Sequence, residues 1–274
     1  MFRLFSILVV AIFSNPLSWT ITKAYAAKNK IILTGSSTVA PLVSEIAKRF
    51  EIQHPGIRVD VQSGGSSRGI ADAKQGLSDI GMISRELKNE EKELFAFTIA
   101  KDGICIIVHK NNPVSTLTDP QIIDIYTGKI SNWKQVGGKD APITVVSKAE
   151  GRSTLELFLN HFKLKTTEIK SQVIIGDNPQ GIKTVAGNPN SIGYVSIGSA
   201  EYDFENGVPI KLLPVSGIIA NRKNVKNGSF PLSRPLNLVT KIKPTGLIKE
   251  FINFSSSKDV NDIIKEQYFV PVAE

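Results

Sequence analysis

The chain has 274 residues and a formal net charge of +8, from 33 basic and 25 acidic residues, with three histidines and one cysteine. That length suffices for one large or two medium domains with real cores, a single cysteine excludes an intrachain disulfide framework, and histidines at 54, 109 and 161 with no H-x-x-x-H or C-x-x-C spacing argue against a metal centre. The basic excess is spread thinly, with no nucleic-acid motif and no basic stripe interleaved with aromatics, so an anionic ligand is expected as partner and nucleic acid is not.

The first residues, MFRLFSILVVAIFSNPLSWTITKAYA, carry a basic Arg3, an apolar run from Leu4 to Phe13 and the small-residue pattern Ala24-Tyr25-Ala26. This is the pattern of a secretory signal peptide over residues 1–26, and the apolar run is too short to span a bilayer. The mature chain, from Ala27 onward, is expected in a periplasm. Cys105 lies in the apolar run GICIIVHK and reads as a core residue.

Strand-like and helix-like segments then alternate, the pattern of a mostly parallel sheet flanked by helices. KIILT leads through a Gly-Ser-Ser-Thr turn into the helix APLVSEIAKRFEIQ, which ends at His54-Pro55-Gly56. IRVDVQ leads through SGGSSRG into IADAKQG, and DIGMI follows as a short strand. Residues 95–108 read as strands, and KNNPVSTL is a break. Beyond it a helix starts at Thr118-Asp119-Pro120. PITVVSK runs into the amphipathic helix EGRSTLELFLNHF; QVIIG, NPQGIKTVAGN and SIGYVSIG give strand, helix, strand. Residues 236–240 form a late strand, followed by helices TGLIKEFINFSSS and DVNDIIKEQY. The late return of strand and helix after a self-contained middle section predicts two α/β lobes, 27–110 plus 215–274 and 111–214. A ligand then sits in the cleft between them, at the carboxyl ends of the strands.

Three strand-to-helix junctions share one device: TGSSTVAPL (34–42), SGGSSRGI (63–70) and AEGRSTLEL (149–157). Glycine permits a tight turn and close backbone approach, the first helix amides lack intrahelical partners, and hydroxyls donate further bonds. Any one copy is an ordinary N-cap. Three copies at equivalent positions, with Arg68, Arg85, Lys148 and Arg152 nearby, point instead to a cleft that collects an oxyanion.

With these motifs, together with DIGMISREL (79–87) and GDNPQGIKTVAGNPNSIGYVSIG (176–198), the sequence resembles the phosphate-binding subunits of high-affinity phosphate ABC transporters, of the type II periplasmic-binding-protein fold, over nearly the whole mature chain. The resemblance implies two lobes of mixed, mostly parallel sheet and no cofactor. It implies inorganic phosphate as ligand, a membrane permease and ATPase as partners, and a monomer. As ligand contacts it implies Ser37, Thr38 and Val39 from the first motif, Ser66 from the second, Ser84 and Arg85 from DIGMISREL, and Arg152, Ser153 and Thr154 from the third. Two positions depart from the family pattern. Ser84 stands where well-known members have an aspartate that takes up the phosphate proton, leaving Glu150 or Asp79 as the carboxylates next in reach. Lys148 stands where the family has an arginine ahead of the third motif, and Arg152 replaces a serine.

Three alternatives stay open on sequence, one of them an exported binding protein that uses the same scaffold for signalling or adhesion instead of uptake. A receptor for another oxyanion, such as sulfate, would use the same turns. A serine hydrolase is suggested by Gly65-Ser66-Ser67-Arg68-Gly69, which matches G-x-S-x-G between strand and helix, although only His109 and His161 follow it. An enzyme is not expected.

Overall fold

The computed structural model describes residues 29–273; the expected leader lies outside them. In chain order it contains β1 (Lys30–Gly35), α1 (Val39–Gln53), β2 (Arg58–Ser63), α2 (Ser66–Gln75), β3 (Ile80–Ile83), β4 (Phe95–His109), α3 (Asp119–Tyr126), β5 (Thr144–Lys148), α4 (Ser153–Phe162), β6 (Val173–Ile175), α5 (Asn178–Gly187), β7 (Ser191–Ser196), α6 (Ile197–Glu205), β8 (Ile210–Leu213), α7 (Arg222–Lys226), β9 (Ser233–Thr240), α8 (Gly246–Ser255), α9 (Asn261–Glu266) and β10 (Val270–Pro271). No helix among the described residues is long and apolar enough to cross a membrane.

Local chemistry explains the main elements. In α1 the buried residues Val39, Leu42, Val43, Ile46, Ala47 and Phe50 recur at helical spacing and form one face. In α3 Thr118 Oγ1 accepts from the Gln121 amide and the Gln121 side chain accepts from the Thr118 amide, a reciprocal cap. In α4 the buried face is Leu155, Phe158 and Phe162, and Phe158 stacks on Tyr194 with ring centroids 4.1 Å apart. The second helix starts at Ser66, a full turn before the expected Ile70. The reason is Gly65, whose φ of 98° turns the chain directly from β2 into the helix.

The sheet order is β2-β1-β3-β9-β4-β7-β5-β6, with β8 and β10 also paired to β4. Pairs β1/β2, β1/β3, β5/β6 and β5/β7 are parallel, whereas β4 and β9 run antiparallel to their neighbours. β4 is shared: its residues 95–103 pair with β9 and its residues 104–108 with β7. Around this strand the buried apolar residues fall into two main clusters. One is built from β1, α1, β3, the start of β4, β9 and the C-terminal helices. The other includes the run Ile104–Val108, α3, β5, α4, α5 and β7. The fold is thus the expected mixed α/β arrangement of two lobes. The lobe boundaries expected at 110 and 215 fall inside the second cluster, because Ile104–Val108 and residues such as Val215, Val225, Phe230 and Leu232 pack there. The chain crosses between the clusters near Gly103 and again near Ser233, and these two residues are register partners.

Candidate anion-binding site

The starts of α1, α2 and α4 follow the carboxyl ends of β1, β2 and β5 and meet at the seam between the lobes. Arg234, one residue past the second crossing, lies at their centre and is 3% exposed. Its Nε and Nη2 donate to Asp102 Oδ2 at 3.1 and 2.8 Å, and Asp102, at the first crossing, is equally buried. The same guanidinium donates from Nη1 to Thr154 Oγ1 (3.0 Å) and Ser84 Oγ (3.4 Å), and from Nη2 to Thr38 Oγ1 (3.4 Å). Hydroxyls from both lobes are therefore gathered on one planar cation, whose partner carboxylate fixes its orientation.

The surrounding amides are ordered with equal care. Ser36 Oγ accepts from the Thr38 and Val39 amides (3.2 and 3.3 Å) and donates to Ser84 Oγ (3.0 Å). Ser66 Oγ accepts from the Ser84 amide (3.2 Å). Ser153 Oγ, at the first position of α4, is buried with no hydrogen-bond partner among the described residues. An unpartnered hydroxyl at a helix start, beside a buried guanidinium and two more helix starts, is the chemistry of an anion site.

The family model for the PBP superfamily domain matches residues 22–259. The phosphate-binding protein PstS of Staphylococcus epidermidis is 30% identical over 236 residues, covering 80% of this chain and 72% of that one. The chain belongs to the PstS family of the PBP superfamily. The phosphate-binding protein PstS of Bacillus subtilis is 29% identical over 255 residues, covering 90% of this chain and 82% of that one. Among solved structures, one described as a phosphate ABC transporter substrate-binding protein from Clostridium perfringens, with bound phosphate, superposes with a TM-score of 0.80 at 39% identity. It covers 89% of this chain and 99% of that one. An ABC-type phosphate transport receptor from Vibrio cholerae gives a TM-score of 0.73 at 32% identity, covering 88% of this chain and 99% of that one.

In this member of the PstS family six of the expected contact residues fall in one buried cluster and Ser37, Arg85 and Arg152 lie apart from it. Thr38, Ser84 and Thr154 touch the Arg234 guanidinium, Val39 and Ser66 are tied to them through Ser36 Oγ and the Ser84 amide, and Ser153 is buried next to Thr154 with its hydroxyl unpartnered among the described residues. Ser37 is half-buried and lines an adjoining cavity of about 380 Å³ with Ser63, Asp177 and Asn178. Arg85 is a different case. Its Nη1 and Nη2 donate to the two oxygens of Glu91 at 2.6 and 2.8 Å, and Nη1 also donates to the Glu86 carbonyl. Its Nε lies 3.2 Å from Glu156 Oε2, so the guanidinium is occupied by carboxylates and is not offered to the hydroxyl cluster. Arg152 is half-buried and runs along the seam: a Cβ added at Gly65 would meet its Cδ at 3.1 Å, and one at Gly176 its Nη2 at 3.4 Å.

Several groups close the seam around the cluster. The Ser67 amide donates to the Gly151 carbonyl at 3.2 Å, and Asn178 Nδ2 donates to Thr38 Oγ1 at 3.2 Å. Glu156 of the second lobe accepts from Ser67 Oγ (3.4 Å) and pairs with Lys88 (2.9 Å) as well as Arg85. Ser67, the formal nucleophile of the G-x-S-x-G match, thus faces a carboxylate. His109 Nδ1 accepts from the Asn111 amide and His161 lies 3.9 Å from Asp119. Of the carboxylates named as proton acceptors, Glu150 is exposed in the turn before α4, and Asp79 precedes β3 and accepts from the Ile32 amide, at the opposite end of that strand from Ser84.

Lys148 at the end of β5 is 4% exposed, and its Nζ donates to the Asp177 carbonyl (2.7 Å) and Asn178 Oδ1 (3.1 Å). Burial, reinforced by the nearby Arg234 guanidinium, pushes its ammonium down to about 7. Between that value and the ordinary 10.5 the unfolded chain binds the extra proton, so stability rises with pH across this window and is lowest, for this group, below it. Denaturant titrations at pH 7 and pH 9 are expected to show wild type gaining about 2 kcal/mol relative to Lys148→Met, at a limiting slope of about 1.4 kcal/mol per pH unit. Parallel curves for the two proteins would mean that Lys148 does not titrate in this range.

Asp102 and Arg234 are the functional residues that motif reading misses. The available signal is a charge of each sign inside an apolar strand, in TIAKDGICIIV and LSRPLNLV. Such charges are rarely buried without a partner.

Proposed function

We propose that this chain captures inorganic phosphate in the cleft around Arg234 and delivers it to the permease and ATPase subunits of an ABC-type importer. It is exported through its N-terminal leader to the periplasm and works there as a monomer. The observation that carries the reading is the buried Arg234 guanidinium, held by Asp102 and touching hydroxyls of both lobes. A divalent oxyanion there meets charge-assisted bonds, roughly twice as strong as neutral ones, and three helix starts. Relatives named phosphate-binding protein PstS, and the Clostridium perfringens structure with bound phosphate, support the same ligand.

The proposed contacts are Ser37, Thr38, Val39, Ser66, Ser84, Ser153, Thr154 and Arg234. Arg152 acts as a guanidinium at the rim and Arg85 as a support for the seam. No chemical step is required. Ligand joins the lobes about the β4/β9 crossing and shifts the population toward the closed form that a transporter reads. Calorimetric titration of the purified mature protein, stripped of carried-over ligand by unfolding and refolding, is expected to show one phosphate per chain. Absence of binding at millimolar phosphate would overturn the reading.

A further inference from the structure

From the ion pairs that cross the seam we infer that Glu156, outside the proposed ligand contacts, is a latch: it holds the second lobe closed on the first and so sets how slowly phosphate leaves. The inference rests on the phosphate reading and deepens it.

Glu156 belongs to the first turn of α4, in the second lobe, and the three groups that it faces belong to the first. Its Oε1 accepts from Ser67 Oγ of α2 at 3.4 Å, and its Oε2 lies 3.2 Å from Arg85 Nε and 2.9 Å from Lys88 Nζ, in the segment after β3. One carboxylate thus grips two elements of the opposite lobe.

The first-lobe half of this contact is assembled without Glu156. Arg85 Nη1 and Nη2 donate to the two oxygens of Glu91 at 2.6 and 2.8 Å, the Lys88 amide donates to Glu91 Oε2 at 2.9 Å, and Asn237 Nδ2 donates to the Arg85 carbonyl at 2.9 Å. When the lobes part, the guanidinium keeps its counter-ion and no buried cation is left unpaired. Glu156, with a side chain 21% exposed, has only to regain water. The Asp102–Arg234 pair is the opposite case: its members are buried register partners on the strands that join the lobes, so it belongs to the open and the closed form alike.

The contact also suits two bodies that move. Arg85 Nε and Glu156 Oε2 are buried, and neither has a hydrogen-bond partner among the described residues, although they lie 3.2 Å apart. Their attraction is one of charge at close range rather than of an aligned hydrogen bond, and it tolerates a small slide of α4 against the first lobe. Exposed ion pairs are worth little, but the Arg85 side chain is 5% exposed, and a pair withdrawn from water is less screened. Lys88, 43% exposed, is the weaker arm. Because the latch closes on the other lobe and not on the ligand, its loss acts on opening, and such losses are read mainly in dissociation rates.

The test loads the mature protein with radiolabelled inorganic phosphate and chases it with unlabelled phosphate, with association followed separately. Glu156→Gln, which keeps the shape and removes the charge, is expected to release phosphate about tenfold faster or more, with an association rate within about threefold of wild type. Lys88→Met is expected to speed release by about threefold, and to add little in the Glu156→Gln background because its partner charge is gone. Added NaCl is expected to speed release from wild type more than from Glu156→Gln. Glu93→Gln, which breaks the Lys74 ion pair inside the first lobe, is the control and leaves release unchanged. Release by Glu156→Gln and Lys88→Met within about twofold of wild type would overturn the latch and leave the phosphate reading standing. Fully additive effects in the double variant would overturn it too, since the two side chains would then act apart. Wild type that retains no phosphate would overturn the reading itself. Lys88 is a surface residue, so its variant keeps the test decisive should Glu156→Gln fail to fold.

Discussion

Replacing Arg234 with methionine is expected to abolish measurable phosphate binding and to destabilise the fold together. Arg234 is the only described cation that touches hydroxyls of both lobes at the seam, through Thr38, Ser84 and Thr154. All five N–H groups of Arg234 point at protein partners, and the two longest bonds, to Ser84 and Thr38 at 3.4 Å, are the ones a ligand would take over; losing two such charged bonds, each worth about 1.5–3 kcal/mol, weakens binding by at least about a hundredfold. The stability effect has a separate cause. Asp102 is 2% exposed, and without Arg234 its charge is buried with no counter-ion, an effect of about 3–5 kcal/mol. The two effects come apart in the double variant Arg234→Met, Asp102→Asn, which removes both charges. Urea denaturation is expected to show most of the stability restored, while calorimetry shows binding still absent. Binding by Arg234→Met within about threefold of wild type, against the expected loss of charged bonds, would place the ligand elsewhere.

What could be read from sequence was what is local. Each of the three Gly-Ser/Thr turns is a few residues long, and the strand before it and the helix after it carry their own periodicity. The turn therefore announces both its conformation and its free amides. The Asp102–Arg234 pair is hidden because its members are 132 residues apart and become register partners only when β4 pairs with β9. Arg85 misled for a related reason. It adjoins Ser84, but consecutive residues leaving a strand point to opposite faces, so only one of the two can address the cleft. Ser84 does so, and Arg85 turns to Glu91 and Glu156. The lobe boundaries were misplaced because β4 is a single strand of 15 residues that serves both cores, and no break in its apolar pattern marks the crossing. The Asp102–Arg234 pair sits on the two strands that join the lobes.

Gly69→Ala is expected to cost about 3 kcal/mol and to weaken phosphate binding, although the residue touches no ligand. It lies one turn into α2, where the helix backbone presses on the sheet. A Cβ there would meet the Met82 carbonyl oxygen at 2.7 Å, the Thr34 carbonyl oxygen at 2.9 Å and the Gly35 Cα at 3.0 Å. All three are backbone atoms that cannot swing aside, so α2 must lift off β1 and β3, an overpacking at or beyond the usual range of about 1–3 kcal/mol. That movement carries Ser66 with it, and Ser66 holds the amide of Ser84. Close approach of α2 is therefore what sets the second motif against the residue that follows β3. Gly187→Ala, at the end of α5, supplies the comparison, since an added Cβ there meets nothing within 4 Å. It is expected to be neutral or stabilising by about 0.5 kcal/mol through the unfolded chain. Urea midpoints for the two variants, read beside their phosphate affinities, separate crowding from the loss of glycine as such. Equal midpoints would mean that the helix is not held against the sheet at Gly69, and that the geometry of Ser66 and Ser84 has another origin.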